Sequence, residues 1–424
     1  MINEEFLSYV WRFRLCGSIL KTTDGEEVEV LHPGHLNTDS GPDFTNARVR
    51  IADTLWAGNI EIHVNASDWK KHGHQDDDAY NTVILHVVYN ADATSADIGC
   101  AFFPTIELAG TFDYQLLQRY EGMQSGRSWI PCAAGLNSVE PFIIQSWLNN
   151  LVFERFAMKT DAVINELNSR QGDWEQCFYI YNARAFGFGL NAQPFELLAR
   201  SLPLQILARH KDDIFQLEAL LFGQAGLLHQ EFTDDYPVLL QKEYFFLRNK
   251  WQLQPLPGHT WKFHRLRPAG FPTLRLAQFA SLIYKSSSML SEVLECTDIT
   301  QLTALFDTGV SDYWLTHYNF DAPTSRGSRK MSRAFTDIVI LNAVVPFLFA
   351  LGRIKDDIRF TDRALSLLDE LPVEKNNITQ KFDDCGIKSG SALQSQALLQ
   401  LKNAYCNNKR CLDCRIGHTL LNTR

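Results

Sequence analysis

Near residue 140 the apolar pattern of this chain changes period, and few single domains accommodate both halves. Upstream, short runs alternate apolar and polar side chains, as in Val28-Glu29-Val30 and Leu55 to Val64, the pattern of half-buried strands. Downstream, segments 142–169, 193–209, 212–229, 274–295, 335–352 and 391–405 space their apolar residues by three and four, as helices with one buried face do. The expected fold is α+β, with a mixed α/β sheet domain over residues 1–130 and a larger, mainly helical domain over 140–424. Residues 125–138 carry the Gly and Pro content of a linker. At 424 residues and 45% hydrophobic content the chain can bury two cores.

Within the first domain, MINEEFLSYVWRFRL reads as an amphipathic helix rather than a signal peptide, because Glu4, Glu5, Arg12 and Arg14 interrupt its apolar residues. Asp24-Gly25 marks a hairpin turn within residues 17–31. Ala47 to Ile51 and Leu55 to Val64 predict a second hairpin about Ala52-Asp53. A polar crossover from Asn65 to Tyr80 leads into VILHVVY, apolar on both faces and therefore a central buried strand. Ala101 to Leu108 predicts one more strand.

The formal charge of −9 excludes a surface that binds polyanions everywhere, yet cations are concentrated locally. From Lys242 to Arg275 there are seven Lys or Arg and one acid, Glu243. Arg248, Lys250, Lys262, Arg265, Arg267 and Arg275 alternate with aromatics such as Phe245, Trp251, Trp261 and Phe263, a composition that suits nucleic acid as well as plain packing. A second basic stretch lies in SRGSRKMSR, at 325–333. The apolar run Ile338 to Gly352 contains Asn342 and Pro346 and falls short of the ~20 residues a membrane span requires, so a buried helix is expected and no membrane partner. Nine unevenly spaced cysteines suit a reducing, cytoplasmic compartment.

Six of the twelve histidines fall between His32 and His86, among Asp39, Asp43, Glu61, Asp68 and Asp76. The order of features is a helix, a hairpin, G-P-D-F at 41–44, a second hairpin ending in E-I-H at 61–63, a polar crossover and a buried strand. This order resembles the PD-(D/E)xK nuclease core. The resemblance implies that Asp43 and Glu61 hold Mg²⁺ or Mn²⁺, with His63 orienting or activating water where that superfamily usually has Lys. Carboxylate oxygens suit a hard divalent ion, and such an ion polarises phosphate and lowers the pKa of attacking water. Period two also puts Glu61 and His63 on one strand face. Asp68, His72, His74 and His86 are secondary candidates. His72-Gly-His74 is a transition-metal pattern as well as a turn, and His86 in an apolar run fits a core histidine best. His32 and His35, flanking Pro33-Gly34, read as loop residues.

The strings GPDF, WAGNIEIH, SDWKKHGH and VILHVV, together with EALLFGQAGLL, WKFHRLRPAGFPTLRLAQ, NAVVPF and YCNNKRCLDCRIG, resemble the bacterial family domain of unknown function 2851 along the whole chain. That resemblance implies a bacterial, cytoplasmic setting and no particular activity.

Cys406, Cys411 and Cys414 are spaced as metal-binding thiolates, and Cys385 is the expected fourth ligand, with Cys16 and His418 as alternatives. Zinc and an iron–sulfur cluster both suit such a set. Three functions are expected from these features. The first is a metal-dependent nuclease, the second an inactive nucleic-acid-binding or assembly protein on the same fold, and the third a His/carboxylate metal hydrolase acting on a small molecule. Oligomeric state is not legible in the sequence.

Overall fold

A computed structural model describes residues 2–17, 19–94, 96–97 and 103–423. The chain forms two compact units, Met1–Trp147 with Leu401–Arg424, and Leu148–Gln400. The mixed-sheet and helical halves are as the change of period requires, but the cysteine-bearing tail belongs to the first unit.

The first unit opens with helix α1 (Glu4–Arg12), capped by the Asn3 side chain, which accepts from the Phe6 N–H. Its strands are β1 (Leu20–Lys21), β2 (Glu27–His32), β3 (His35–Leu36), β4 (Phe44–Ile51), β5 (Thr54–Asn65), β6 (Val83–Asn90) and β7 (Thr105–Glu107). They form one seven-stranded sheet in the order β1-β2-β4-β5-β6-β7, with β3 pairing to the start of β4. The expected strand 101–108 is the shorter β7; residues 101 and 102 lie outside the described residues.

β2, β4 and β5 are antiparallel; β4 and β5 are joined by the short turn expected at Ala52-Asp53, and β2 and β4 by a segment that contains β3. β6 runs parallel to both β5 and β7, and parallel neighbours need a crossover. Helix α2 (Asp68–His72) and two 3-10 turns supply it between β5 and β6. VILHVV is buried throughout because β6 lies inside the sheet. Gly58 permits its approach: a Cβ there would clash with Ile84 of β6.

Helix α3 (Tyr114–Ser125) follows β7, and the C-terminal helix Arg415–Leu421 closes the unit. Arg119 of α3 donates to the Leu421 carbonyl at 2.8 Å, and Tyr9 of α1 bonds His418 at 2.9 Å. The core includes Phe6, Trp11, Phe44, Ile60, Leu85 and Ile106, all fully buried.

The second unit is helical. Trp174–Phe186, Ile214–Gln224 and Pro272–Lys285 carry much of its core. The stretch Arg333–Lys355 is long and apolar enough to cross a membrane, but 83% of its apolar window is buried, as a core helix requires. It contains a π turn at Ile340–Val344 just before Pro346. A proline has no N–H for the residue four before it, and the wider turn absorbs that break.

Candidate metal centre

The centre is built on two strand irregularities. The β4–β5 pairing shifts register between Phe44 and Ala47, where Asn46 adopts φ 55°, and the β5–β6 pairing shifts between Asn59 and Ile60. Such bulges re-aim side chains, and Asp43 and Glu61 sit beside them. The Asp43 N–H donates to Glu61 Oε2 at 3.1 Å, while the Ile62 N–H donates to Asp43 Oδ2 at 3.0 Å. Each carboxylate is therefore fixed by the other's strand, as antiparallel pairing of β4 and β5 predicts.

The second carboxylate oxygen of Glu61, Oε1, lies 3.6 Å from His63 Nε2 and 3.4 Å from His74 Nε2. His63 Nε2 is also 3.2 Å from His72 Nδ1. The ligand atoms of His63, His72 and His74 all fall within 4.8 Å of one another, and among the described residues no other trio of His, Cys, Asp or Glu does so. His63 is buried, His74 half-buried and His72 exposed, which leaves the cluster open on the crossover side.

Behind it, His63 Nδ1 meets His86 Nε2 at 2.8 Å. His86 is fully buried on β6, opposite Glu61 in register. Trp69 walls the cluster, with ring centroids 6.2 Å from His63, 5.3 Å from His74 and 5.3 Å from His86. Tyr80 stacks on His74 at 3.8 Å.

Burial pushes the Glu61 carboxyl well above the usual carboxylate range, and the neighbouring Asp43 adds like-charge repulsion. Burial raises Asp43 too, partly offset by the bond from Ile62. Burial and the surrounding imidazoles push His63 down to about 2 and, with His74 foremost, His86 down to about 3. Asp43 and Glu61 thus share this space with His63, His74 and His86, whose burial disfavours protonation. A cation fits this deficit, and the buried Nε2 of His74, which has no hydrogen-bond partner, is a donor atom waiting for one.

The remaining sequence candidates divide. Asp68 is committed to its own turn, accepting from the Asn65 N–H at 3.1 Å and pairing with Lys71 at 3.2 Å. His32 and His35 line a separate surface cavity of 580 Å³ with Asn46, Arg48 and Gly58. Glu4, on the first turn of α1, acts electrostatically on both Asp43 and Glu61; sequence reasoning used it only as a charge. Its position at the start of the helix that precedes the sheet was the available signal.

In the second unit, Lys262, Arg265 and Arg267 are exposed, as are Phe245 and Phe246. Arg275 serves packing instead: its guanidinium lies 3.3 Å from the Phe335 ring centroid and donates to Gln278 at 2.9 Å. Arg248 donates to the Leu253 carbonyl at 3.4 Å, and Lys250 lies over Trp251 at 5.2 Å. In the 325–333 stretch, Lys330 and Arg333 are paired to Asp307 and Asp337. Cys385 ends a helix of the second unit, whereas Cys406, Cys411 and Cys414 belong to the first.

The fold and this cluster together define an α+β protein with a buried carboxylate–imidazole centre at the junction of antiparallel and parallel strands. The chain belongs to the family described as Protein of unknown function (DUF2851), which matches residues 4–377. No curated protein and no solved structure matches it.

Proposed function

We propose that the first unit is a metal-dependent hydrolase of the nuclease type, acting on phosphodiesters of nucleic acid. The observation that carries this reading is Glu61 Oε1 facing His63 Nε2 and His74 Nε2 at 3.6 and 3.4 Å, with His72 alongside. Glu61, His63, His72 and His74 would hold the ion. A set of three imidazoles and one carboxylate suits manganese, iron or zinc better than magnesium, so this reading favours Mn²⁺, iron or zinc at these residues. When bound, that ion polarises a phosphoryl oxygen and lowers the pKa of water.

The chain's own groups supply the rest. His86 holds His63 by its Nδ1 edge and thereby turns its Nε2 toward Glu61. Asp43, raised by burial, accepts the proton of the attacking water. Trp69 and Tyr80 pack against the imidazole rings of His63 and His74 and would fix their orientation. The order α1, β2, β4, β5, α2, β6, with β5 and β6 parallel, supports the resemblance to the PD-(D/E)xK core. The exposed cations at 262–267 support a polyanionic substrate.

The three-imidazole donor set also favours a second reading, a hydrolase of a small phosphate or carboxylate ester at the same residues. Metal content and cleavage of single- and double-stranded DNA and RNA in Mn²⁺ test both, with an Asp43→Ala, Glu61→Ala variant as control. Cleavage lost in the folded variant supports the nuclease. Stoichiometric metal lost on His63→Ala, without nucleic-acid cleavage, favours the small-molecule hydrolase. Nucleic-acid binding with neither metal nor cleavage would leave only a binding or assembly role.

A further inference from the structure

The C-terminal tail of the first unit is folded around sulfur. The chain leaves a π-helical segment, Leu401–Cys406, and makes a tight sequence of turns: the Lys409 N–H bonds the Cys406 carbonyl, the Cys411 N–H the Lys409 carbonyl, and the Cys414 N–H the Cys411 carbonyl. Gly417 then approaches the Cys411 backbone so closely that a Cβ would clash with the Cys411 carbonyl. These turns bring Cys411 and Cys414, both buried, beneath the start of the last helix.

A fourth thiol arrives from 274 residues before Cys406. Lys402 donates to the Trp129 carbonyl and its ammonium lies 4.5 Å from the Trp129 ring centroid. Gly135, whose N–H bonds the Cys132 carbonyl, meets the Leu420 side chain. Gln124 and Lys409 exchange side-chain-to-carbonyl bonds. The segment Gln124–Gly135 is thus bound to the tail at three points. Cys132 sits among them, and the like-charged groups acting on the Cys406 sulfur are Cys132, Cys414 and Cys411.

Burial raises the Cys414 thiol, and the backbone N–H groups of Ile416 and Gly417 and the indole of Trp147 act on its sulfur in the opposite direction. Residues two and three beyond a cysteine commonly supply such donors where a thiolate carries metal charge, because hydrogen bonds to sulfur tune the centre. Cys385 belongs to neither of the two segments tied together here, and Cys16 bridges Phe112. The Nδ1 of His418 is bonded to Tyr9.

We propose that Cys132, Cys406, Cys411 and Cys414 are the four ligands of a metal centre, an iron–sulfur cluster in preference to a single zinc ion. The spacing is the ground for preferring the cluster. Four sulfurs around one zinc ion at ~2.3 Å lie roughly 3.8 Å apart, yet no three of these sulfurs come within 4.8 Å of one another. A polynuclear cluster holds its thiolates further apart and fills that volume.

The test is anaerobic purification of the full chain, followed by iron, acid-labile sulfide and zinc analysis and iron-edge X-ray absorption. Iron and sulfide in equal amounts, with a sulfur shell and an iron–iron shell, are expected. Cys132→Ser should lower the iron at least severalfold, whereas Cys385→Ser and His63→Ala should keep it. X-ray absorption on the wild type needs no variant, so misfolding of Cys132→Ser would not blunt the test. One zinc per chain on sulfur ligands would overturn the cluster. Metal-free protein with all tail thiols titratable would overturn the site. Iron retained by folded Cys132→Ser but lost in Cys385→Ser would overturn the ligand set.

Discussion

His63 Nδ1 and His86 Nε2 lie 2.8 Å apart on neighbouring parallel strands, so one buried imidazole sets the orientation of another. The other edge of His63 faces Glu61 and His72. A histidine that steers a ligand from behind typically contributes 10- to 100-fold in metal affinity, an order of magnitude taken from characterised metal sites.

His86→Leu should therefore keep the fold, because its neighbours along β6 are apolar, and weaken Mn²⁺ or Zn²⁺ binding by roughly 10- to 100-fold. Isothermal titration on the folded variant checks this. Unchanged affinity would return His86 to a purely packing role.

The raised carboxyl of Glu61 makes metal binding pH-dependent. The ion must displace its proton, so affinity should rise as pH increases from 6 upward, about one proton being released per ion bound (~1). The metal-free protein should behave oppositely. Glu61 is held above its ordinary value of 4.5, so the native state binds more protons than the unfolded state above that pH. Stability contributed by the neutral carboxyl is present at low pH and lost as pH rises toward the raised value. Glu61→Gln should raise the metal-free Tm at pH 8 and abolish the shift that Mn²⁺ or Zn²⁺ gives the wild type. Differential scanning fluorimetry across pH, with and without metal, measures both.

Replacement of Lys262, Arg265 and Arg267 together by Ala should reduce the slope of log affinity for single-stranded RNA or DNA against log salt by about 2, at ~0.7 per phosphate contact. Arg275→Ala should lower thermal stability instead, since that guanidinium is spent on Phe335 and Gln278. An unchanged salt slope in the triple variant would remove this surface from the substrate path.

Glu218 gives a stability test in the second unit. It is fully buried and accepts from Tyr236 and from the Trp314 indole, each at 2.8 Å, and burial pushes its carboxyl up to about 7. Glu218→Leu strands two buried donors and should cost about 3 kcal/mol in urea unfolding. Glu218→Gln keeps the acceptor and should cost no more than about 1 kcal/mol.

The sheet was legible because alternation and buried runs follow from pleat geometry: β4, β5 and β6 fall where Ala47–Ile51, Leu55–Val64 and VILHVVY predict them. The convergence of Asp43, Glu61 and His63 was legible for the same reason. Spacing could not reveal that Asp68 is consumed by Asn65 and Lys71, because an acid near a turn looks the same whether it caps or coordinates. Nor could it show that the segment carrying Cys132 is bound to the tail, because those contacts are made by long-range packing.

Because residues 148–400 are translated between the two pieces of the first unit, its sheet leaves the ribosome long before its closing helix exists. Until residues 415–423 emerge, the faces of α1 and α3 that carry Tyr9 and Arg119 stay open to water and to other chains. A chain stopped before residue 401 would thus carry its helical unit with an unfinished first unit, a species that chaperones and proteases could tell apart from the chain that holds residues 401–423.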